Sequence, residues 1–223
     1  MKRASRPPRP SSSPVSPGRF FEPALALIEF DSIAAGIQAG DAMVKKAPIA
    51  RIVAGTVQPG HYLVLISGEV ADVDESLKAG RERGGAHVID TVFLPHVHPA
   101  VVNAIAGGRD ARSGGAHAAL GIIETATVPA AIRSADAGVK GAQVALLEVR
   151  LADGLHGKGL TLFTGEVSDV EAAVEIGTGA IEPQLVVNQV VIAQLHPEMN
   201  VNIQQHTRFG ENLSQSSPQP EDK

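Results

Sequence analysis

Two glutamates in matching positions are the first residues of this sequence that could do chemistry. Glu29 and Glu124 lie at the ends of the apolar runs "PALALIEF" and "AALGIIET". Paired carboxyl groups can serve as general acid and general base. The two runs belong to separate copies of one pattern, so we expect a structural role such as helix capping. An enzyme site between subunits, built from Glu29, Glu124 or His156, is the alternative.

Two histidines have a spacing that could hold a metal ion. His96 and His98, in "HVHP", are two residues apart. A stable metal site needs further ligands around the ion, and no carboxylate stands beside this pair. We therefore expect an exposed strand end and no metal site.

Other signatures of catalysis are missing from the sequence. It contains no P-loop, no G-x-G-x-x-G after a strand, no G-x-S-x-G and no H-E-x-x-H. The segment "GGRDARSGG" is rich in glycine, but no Lys-Ser or Lys-Thr closes it, so it is typical of a linker. Four acidic residues are expected at the starts of helices, where the helix dipole favours negative charge; they are Glu69, Asp72, Glu166 and Asp169. We predict that the protein is not an enzyme.

Composition narrows the remaining functions. The 223 residues include no cysteine, no tryptophan, one tyrosine and six phenylalanines, and the net charge is -5. The absence of cysteine excludes disulfides and thiolate metal sites. Acidic charge and scarce aromatic residues argue against nucleic acid as a partner. The apolar runs are too short to span a bilayer, and the beginning of the chain has no apolar signal segment. We expect a cytoplasmic protein.

An internal repeat organises the chain. "LIEFDSIAAGIQAGDAMVK", from Leu27, and "IIETATVPAAIRSADAGVK", from Ile122, are identical at eight positions without gaps. "SGEVADV" recurs 97 residues later as "TGEVSDV", and His98-Pro99 recurs 98 residues later as His196-Pro197. Three anchors in the same order indicate two tandem domains.

Each copy has the same predicted order of elements. Apolar runs of strand length alternate with segments of helical spacing, such as Ile33, Ile37 and Val44. The order is β-α-β-β-α-β, with a short helix after each His-Pro. We therefore predict an α/β fold of two ferredoxin-like domains, each an antiparallel sheet with helices packed on it.

The predicted boundaries follow composition. We assign 1–22 to a disordered tail rich in proline, serine and arginine, 23–106 to the first domain and 107–116 to a glycine-rich linker. The second domain spans 117–206, and a second disordered tail spans 207–223. The basic first tail is either solvated or a docking segment for an acidic partner.

Several of these segments resemble a known family. "DAMVKKAPI" and "ADAGVKGAQV", together with "TVQPGHYLVLISGEVADV" and "VRLADGLHGKGLTLFTGEVSDV", look like the shell domain of bacterial microcompartments. Two copies in this order resemble the non-permuted, trimer-forming tandem shell proteins, above all those of propanediol-utilisation compartments. The likeness covers about residues 24–205.

The resemblance implies a structural function. Three chains would form a six-domain pseudohexagonal tile, and tiles would pack with other shell proteins around enclosed enzymes. The turn between the second and third strands of each domain would line a central threefold pore for small polar metabolites. Carried over by position, the pore-lining residues are Thr56, Val57, Gln58, Pro59, Gly60, Asp153, Gly154, Leu155, His156, Gly157 and Lys158.

The resemblance also implies contacts at the tile edge. The edge lysine of the family falls on Lys45 and Lys140, which we expect just after the first helix of each copy. Single-domain relatives often carry an arginine before the Pro-His of their last segment. The corresponding residues here are His96 and Gln194.

The first pore turn departs from the propanediol relatives in one residue. There a cysteine precedes the Pro-Gly, and three copies hold an iron–sulfur cluster on the axis. Here that residue is Gln58, whose amide is a poor iron ligand. We therefore predict no cluster, no cofactor and a pore ringed by Gln58 amides.

His156 adds one more possibility at the pore. Threefold symmetry could bring three imidazoles together, and they could bind zinc or gate the pore with pH. The plainer alternative is a solvated histidine beside the pore. For the whole protein, the shell tile is our first prediction, and a trimeric ferredoxin-like ligand-binding or regulatory module is the alternative.

Overall fold

The two halves of the chain contain the same strands and helices in the same order. The computed structural model describes residues 23–109, 118–205 and 207–208. The first half comprises β1 (Ala24–Phe30), α1 (Ile33–Lys46), β2 (Arg51–Val57), β3 (His61–Gly68), α2 (Val70–Gly84), β4 (Val88–Leu94) and α3 (Pro99–Ile105). The second comprises β5 (Ala119–Thr125), α4 (Val128–Gly141), β6 (Ala145–Leu151), β7 (Gly159–Gly165), α5 (Val167–Gly179), β8 (Val186–Ile192) and α6 (Pro197–Gln205).

This order confirms the predicted βαββαβ domains and the short helix after each His-Pro. One turn of 3-10 helix precedes the last strand of each domain, at Gly85–His87 and Pro183–Leu185. The predicted first tail, most of the linker and nearly all of the second tail lie outside the described residues.

Each domain is built on a four-stranded antiparallel sheet. The strand orders are β2-β3-β1-β4 and β6-β7-β5-β8. Ala24 pairs with Gly68 in the first sheet, as Ala119 pairs with Gly165 in the second. The register of the central strand shifts directly after Glu29 and, in the other sheet, directly after Glu124. A shift of this kind bends the strand and redirects side chains, so the repeat preserves the setting of both glutamates.

The helices begin where the sequence indicates. Ser32 accepts a hydrogen bond from the Ala35 N–H at 3.3 Å, and Thr127 accepts one from the Ala130 N–H at 3.3 Å. Such caps satisfy backbone donors that the first turn leaves free. Glu69 precedes α2 as its N-cap residue, as expected, but its side chain makes no capping hydrogen bond. The same holds for Glu166 before α5, although both acids lie where the helix dipole favours a negative charge.

The central strand of the first sheet is buried on both faces. Ala24, Ala26 and Ile28 pack on the side of α1 and α2, whereas Leu25 and Leu27 pack on the other side. Each fully buried aliphatic side chain of Leu or Ile size contributes about 1.5–3 kcal/mol relative to exposure. The cluster that contains Leu25 and Leu27 also contains residues of the second domain, such as Ile132. The two domains therefore share a core.

The first helices of the two domains have opposite environments. Helix α4 is buried along most of its length, including Val128 and Ile132. Helix α1 buries mainly small residues and Met43, and it leaves Ile37 54% exposed. The apolar spacing that predicts α1 therefore lies mostly on its outer face.

Candidate functional site

The contact between the two domains, here called the domain junction, surrounds the first helix of the second domain. Strand β4 packs against α4, and α3 packs against β6. Their buried side chains belong to one cluster that includes Val101, Ile132 and Val149. Polar groups surround this apolar contact at three places.

The first place is the buried carboxylate of Glu29. Its Oε1 lies 2.8 Å from Nδ1 of His61, and its Oε2 accepts a hydrogen bond from the Val128 N–H at 2.8 Å. Val128 begins α4, so Glu29 of one domain caps a helix of the other, where the dipole favours a negative group. Desolvation raises the pKa of Glu29, and the bonds from His61 and Val128 partly offset that rise. The geometry supports the expected capping role.

The second place joins β4 to α4 by charge. Asp90 accepts a hydrogen bond from the Thr127 hydroxyl at 2.6 Å and lies 3.6 Å from the Arg133 guanidinium. Arg133 also donates to the carbonyl of Thr91. These contacts fix the strand against the start of the helix.

The third place contains two of the predicted edge residues. Lys140 donates to the Asp136 carboxylate and to the carbonyl of His96. Asp136 also accepts a hydrogen bond from the His98 N–H at 2.8 Å. The structure thus brings Lys140 and His96 together within the chain.

The other two predicted edge residues, Lys45 and Gln194, are exposed. Lys45 pairs with Asp41 at 2.6 Å, as Lys140 pairs with Asp136. The expectation that the two lysines follow their helices is wrong, because both lie in the last turn.

The histidines of "HVHP" have structural partners. The His98 imidazole accepts a hydrogen bond from the Ala100 N–H at 3.2 Å and so caps α3. No group of three or more potential metal-ligating side chains occurs in the described part of the chain.

The two predicted pore turns lie side by side. A methyl group placed on Gly157 would lie 3.1 Å from Cδ of Pro59 and 3.6 Å from Cε1 of His61. Gly157 has φ +88°, and Gly60, in the first turn, has φ +108°, which only glycine adopts readily. Glycine at 157 therefore permits the close approach of the two turns.

The predicted pore residues occupy somewhat different elements than expected. Thr56 and Val57 are the last residues of β2, so the first turn proper is Gln58–Gly60. Gln58, Gly154 and Leu155 line a common cleft, and His156 is exposed with φ +54°. Lys158 pairs with Glu124 at 2.6 Å. The turn carries the Gln58 amide in a chain without cysteine, so its residues do not fit an iron–sulfur cluster.

The sequence interpretation missed His61, Asp90 and Arg133. A sequence signal was available for His61, because the 97-residue offset of the Gly-Glu-Val phrases aligns it with Lys158. In the structure each of the two side chains pairs with the glutamate of its own domain. Asp90 and Arg133 gave no comparable signal, since their repeat counterparts are amides rather than charges.

None of the helices that the structure describes is both long and apolar enough to cross a lipid bilayer.

Comparison with known proteins identifies the two domains. Residues 24–97 and 119–195 each match the family described as BMC domain. The chain is 37% identical over 177 residues to the bacterial microcompartment shell protein PduT of Citrobacter freundii, a match covering 79% of this chain and 95% of that protein. It is 24% identical over 185 residues to the carboxysome assembly protein CcmO of a Synechocystis species, covering 78% of this chain and 61% of that protein.

Solved structures share the architecture. A microcompartments protein from Desulfitobacterium hafniense DCB is 40% identical with a TM-score of 0.68, and the match covers 79% of this chain and 97% of that chain. The fused permuted hexameric shell protein of the RMM microcompartment is 18% identical with a TM-score of 0.51, covering 70% of this chain and 79% of that one, and so shares the fold. The resemblance expected from the sequence is confirmed in both halves, and the chain belongs to the BMC-domain family, of which it carries two copies in tandem.

Proposed function

We propose that this chain is a structural shell protein of a bacterial microcompartment, and that three copies form a pseudohexagonal tile with a central pore. One observation carries the proposal. The chain contains one complete domain junction. The face formed by α1 and β2 and the face formed by β8 and α6 each expose the residues of one half of a further junction.

The first exposed half lies on the first domain. Ile33, Ile37 and Ile52 are all exposed, whereas their repeat counterparts Val128, Ile132 and Leu146 are buried. Those counterparts are buried against the first domain of the same chain. The face formed by α1 and β2 therefore has the composition of a domain junction without its other side.

The second exposed half lies on β8 and α6. Val190 is 40% exposed and Met199 is 51% exposed, whereas their repeat counterparts Val92 and Val101 are buried. The second domain of one copy can therefore cover the first domain of the next. A head-to-tail interface of this kind closes into a ring when its rotation permits, and three chains supply six domains.

Polar groups of the two exposed halves match those of the domain junction. Glu124 stands where Glu29 stands, so it would accept from the Ile33 N–H of the neighbouring copy. By the same alignment, Gln194 corresponds to His96, and its carbonyl would accept from Lys45 of the neighbouring copy. The charged Asp90–Arg133 pair becomes an amide pair at this second interface, Asn188 with Gln38.

The pore and the tile edge complete the proposal. The turns at Gln58–Gly60 and 153–158 would surround the threefold axis, and the Gln58 amides would pass small polar metabolites. Lys45 and Lys140 would contact neighbouring tiles, with His96 and Gln194 beside them. Proteins of shell families are structural, and we infer that this one has no catalysis of its own and assembles with other shell proteins around enzymes.

The test compares association of the wild-type protein with an interface variant. Ile37→Lys places a charge in the exposed half-junction, and Ile176→Lys, on the exposed part of α5, is the matched control. We expect wild type and Ile176→Lys to sediment as trimers and to form flat hexagonal sheets in negative-stain images, and Ile37→Lys to sediment as a monomer.

Trimers of Ile37→Lys would contradict the interface. Wild-type trimers that never form sheets, even with a partner shell protein added, would favour a ligand-binding module instead.

A further inference from the structure

Strand β6 carries Glu148 and Arg150 at two positions where β2, its counterpart in the first domain, has uncharged residues. Glu148 faces Leu162 across the sheet, as Val53 faces Leu65 in the first domain. Arg150 faces Leu160, in the place that Gly55 holds opposite Leu63. The second domain therefore has a polar cluster that the repeat itself does not require.

Glu148 is matched by donors. Its carboxylate pairs with Arg109 and accepts hydrogen bonds from the Thr207 hydroxyl at 2.9 Å. Arg109 also donates to the carbonyls of Ile203 and Gln204 at the end of α6. The negative charge of Glu148 is thus neutralised where it lies.

Among the described residues, Arg150 has only neutral partners. One terminal nitrogen donates to the Thr207 hydroxyl at 3.2 Å, and the other donates to the carbonyl of Asp153 at 3.0 Å. Its Nε is buried and has no hydrogen-bond partner among the described residues. Within the same described residues, no carboxylate forms an ion pair with Arg150. Arg150 as a whole is only partly buried, but a buried N–H without an acceptor is unfavourable, so among the described residues this guanidinium is one acceptor short.

Two clefts meet at Arg150. One, of about 360 Å³, lies against the end of α3 and is also lined by Arg109, Glu148 and Arg208. The other, of about 550 Å³, is lined by Gln58 and Leu155 of the pore turns. Asp153 and Arg208 line both clefts and lie 4.0 Å apart as an ion pair. Among the residues that the structure describes, the three arginines and two carboxylates of these clefts leave one net positive charge, which is that of Arg150.

We propose that Arg150 is the centre of a binding site for a small anion that carries a carboxylate or phosphate group. A guanidinium offers two parallel donors to such a group, and the adjoining clefts leave room for the rest of a small molecule. The site lies within one chain. Its position at the mouth of the pore rests on the proposed function, so it would hold acidic metabolites beside the turns that they cross.

The test is calorimetric titration of the full chain with inorganic phosphate and, separately, with acetate. We expect saturable binding of at least one of them in the millimolar range, and the tighter of the two identifies the group recognised. Arg150→Gln should weaken this binding by at least about tenfold. Arg150→Lys should retain weaker binding, because it keeps the charge and loses the fork. Arg83→Gln, an exposed charge change on α2, should bind as wild type.

Wild-type protein that shows no saturable heat with either anion up to about 10 mM, or Arg150→Gln that binds like wild type, would overturn the site. If Arg150→Gln does not fold, as seen by circular dichroism, binding by Arg150→Lys as tight as by wild type overturns it equally. Sedimentation of the same samples reports trimer formation separately, so failure of the anion site and failure of the tile are distinguishable.

Discussion

Glu29 has the capping role that the sequence predicts, and the structure adds that the helix it caps belongs to the other domain. It is fully buried, and it joins the start of α4 to His61, which directly follows the first pore turn. A carboxylate in this setting connects the domain junction with the pore turn through two hydrogen bonds. The equivalent Glu124 and Lys158 are partly exposed in the single chain; in the proposed tile, the neighbouring copy would cover them.

The raised pKa of Glu29 gives a prediction about pH. The folded protein holds the Glu29 proton more tightly than the unfolded chain, in which the pKa of a glutamate is 4.5. This group therefore adds stability as pH falls through its folded pKa, and the gain is complete below about 4.5. We expect the free energy of unfolding of wild type, relative to Glu29→Gln, to rise over that window in denaturant titrations at fixed protein concentration. Glu82→Gln, an exposed control, should show no such difference.

A second variant at Glu29 tests the hydrogen bonds. Glu29→Ala removes the acceptor for Val128 and the partner of His61, so we expect a loss of about 1–3 kcal/mol. Wild-type stability in Glu29→Ala would show that the cap contributes nothing.

At the scale of elements, the repeat predicts the order of strands and helices, but it does not predict what covers the apolar face of each helix. The order of strands and helices along the chain and the short helix after each His-Pro follow from apolar spacing and turn residues, and the structure confirms them. The orientation of α1 did not follow, because its apolar residues Ile33 and Ile37 are exposed in the single chain. Sequence spacing reports that a helix has an apolar face, and it does not report which molecule covers that face.

The two pore turns give a prediction at the same scale. Gly157→Ala would put a methyl group 3.1 Å from Pro59 in a residue with φ +88°. We expect a loss of about 1–2 kcal/mol in unfolding free energy, measured by denaturant titration. Gly179→Ala is the control, because no atom lies within 4 Å of the added group. Equal stability of both variants would contradict the close packing of the turns.

For the whole molecule, the sequence predicts pore and edge residues but not the contacts that they make within the chain. The two predicted pore turns lie side by side, and Lys140 and His96, both predicted at the tile edge, contact each other. The polar cluster around Arg150 has no motif. Arg109 lies in the predicted linker, far in sequence from its partner Glu148, so only the folded chain brings the two together.

Packing of tiles gives the last prediction. The double variant Lys45→Ala with Lys140→Ala removes the expected edge contacts and, with them, the bonds from Lys140 to Asp136 and to the His96 carbonyl. The Lys45–Asp41 pair is exposed and contributes little to stability. The apolar contacts of the junctions are unchanged in the variant, so trimers should persist in sedimentation while hexagonal sheets disappear from electron micrographs. Lys78→Ala, which removes an exposed lysine from α2, should leave the sheets intact. Normal sheets from the double variant would remove the edge assignment.

In the proposed ring, the two kinds of junction would also differ in how they form. The one within the chain joins domains that a short connection keeps together, so its effective concentration is high and does not change on dilution. The proposed one between chains would form by collision, so its occupancy would depend on how much protein is present. In such a ring, covalent fusion turns three of the six encounters into a folding step, and only the remaining three would respond to the concentration of the protein.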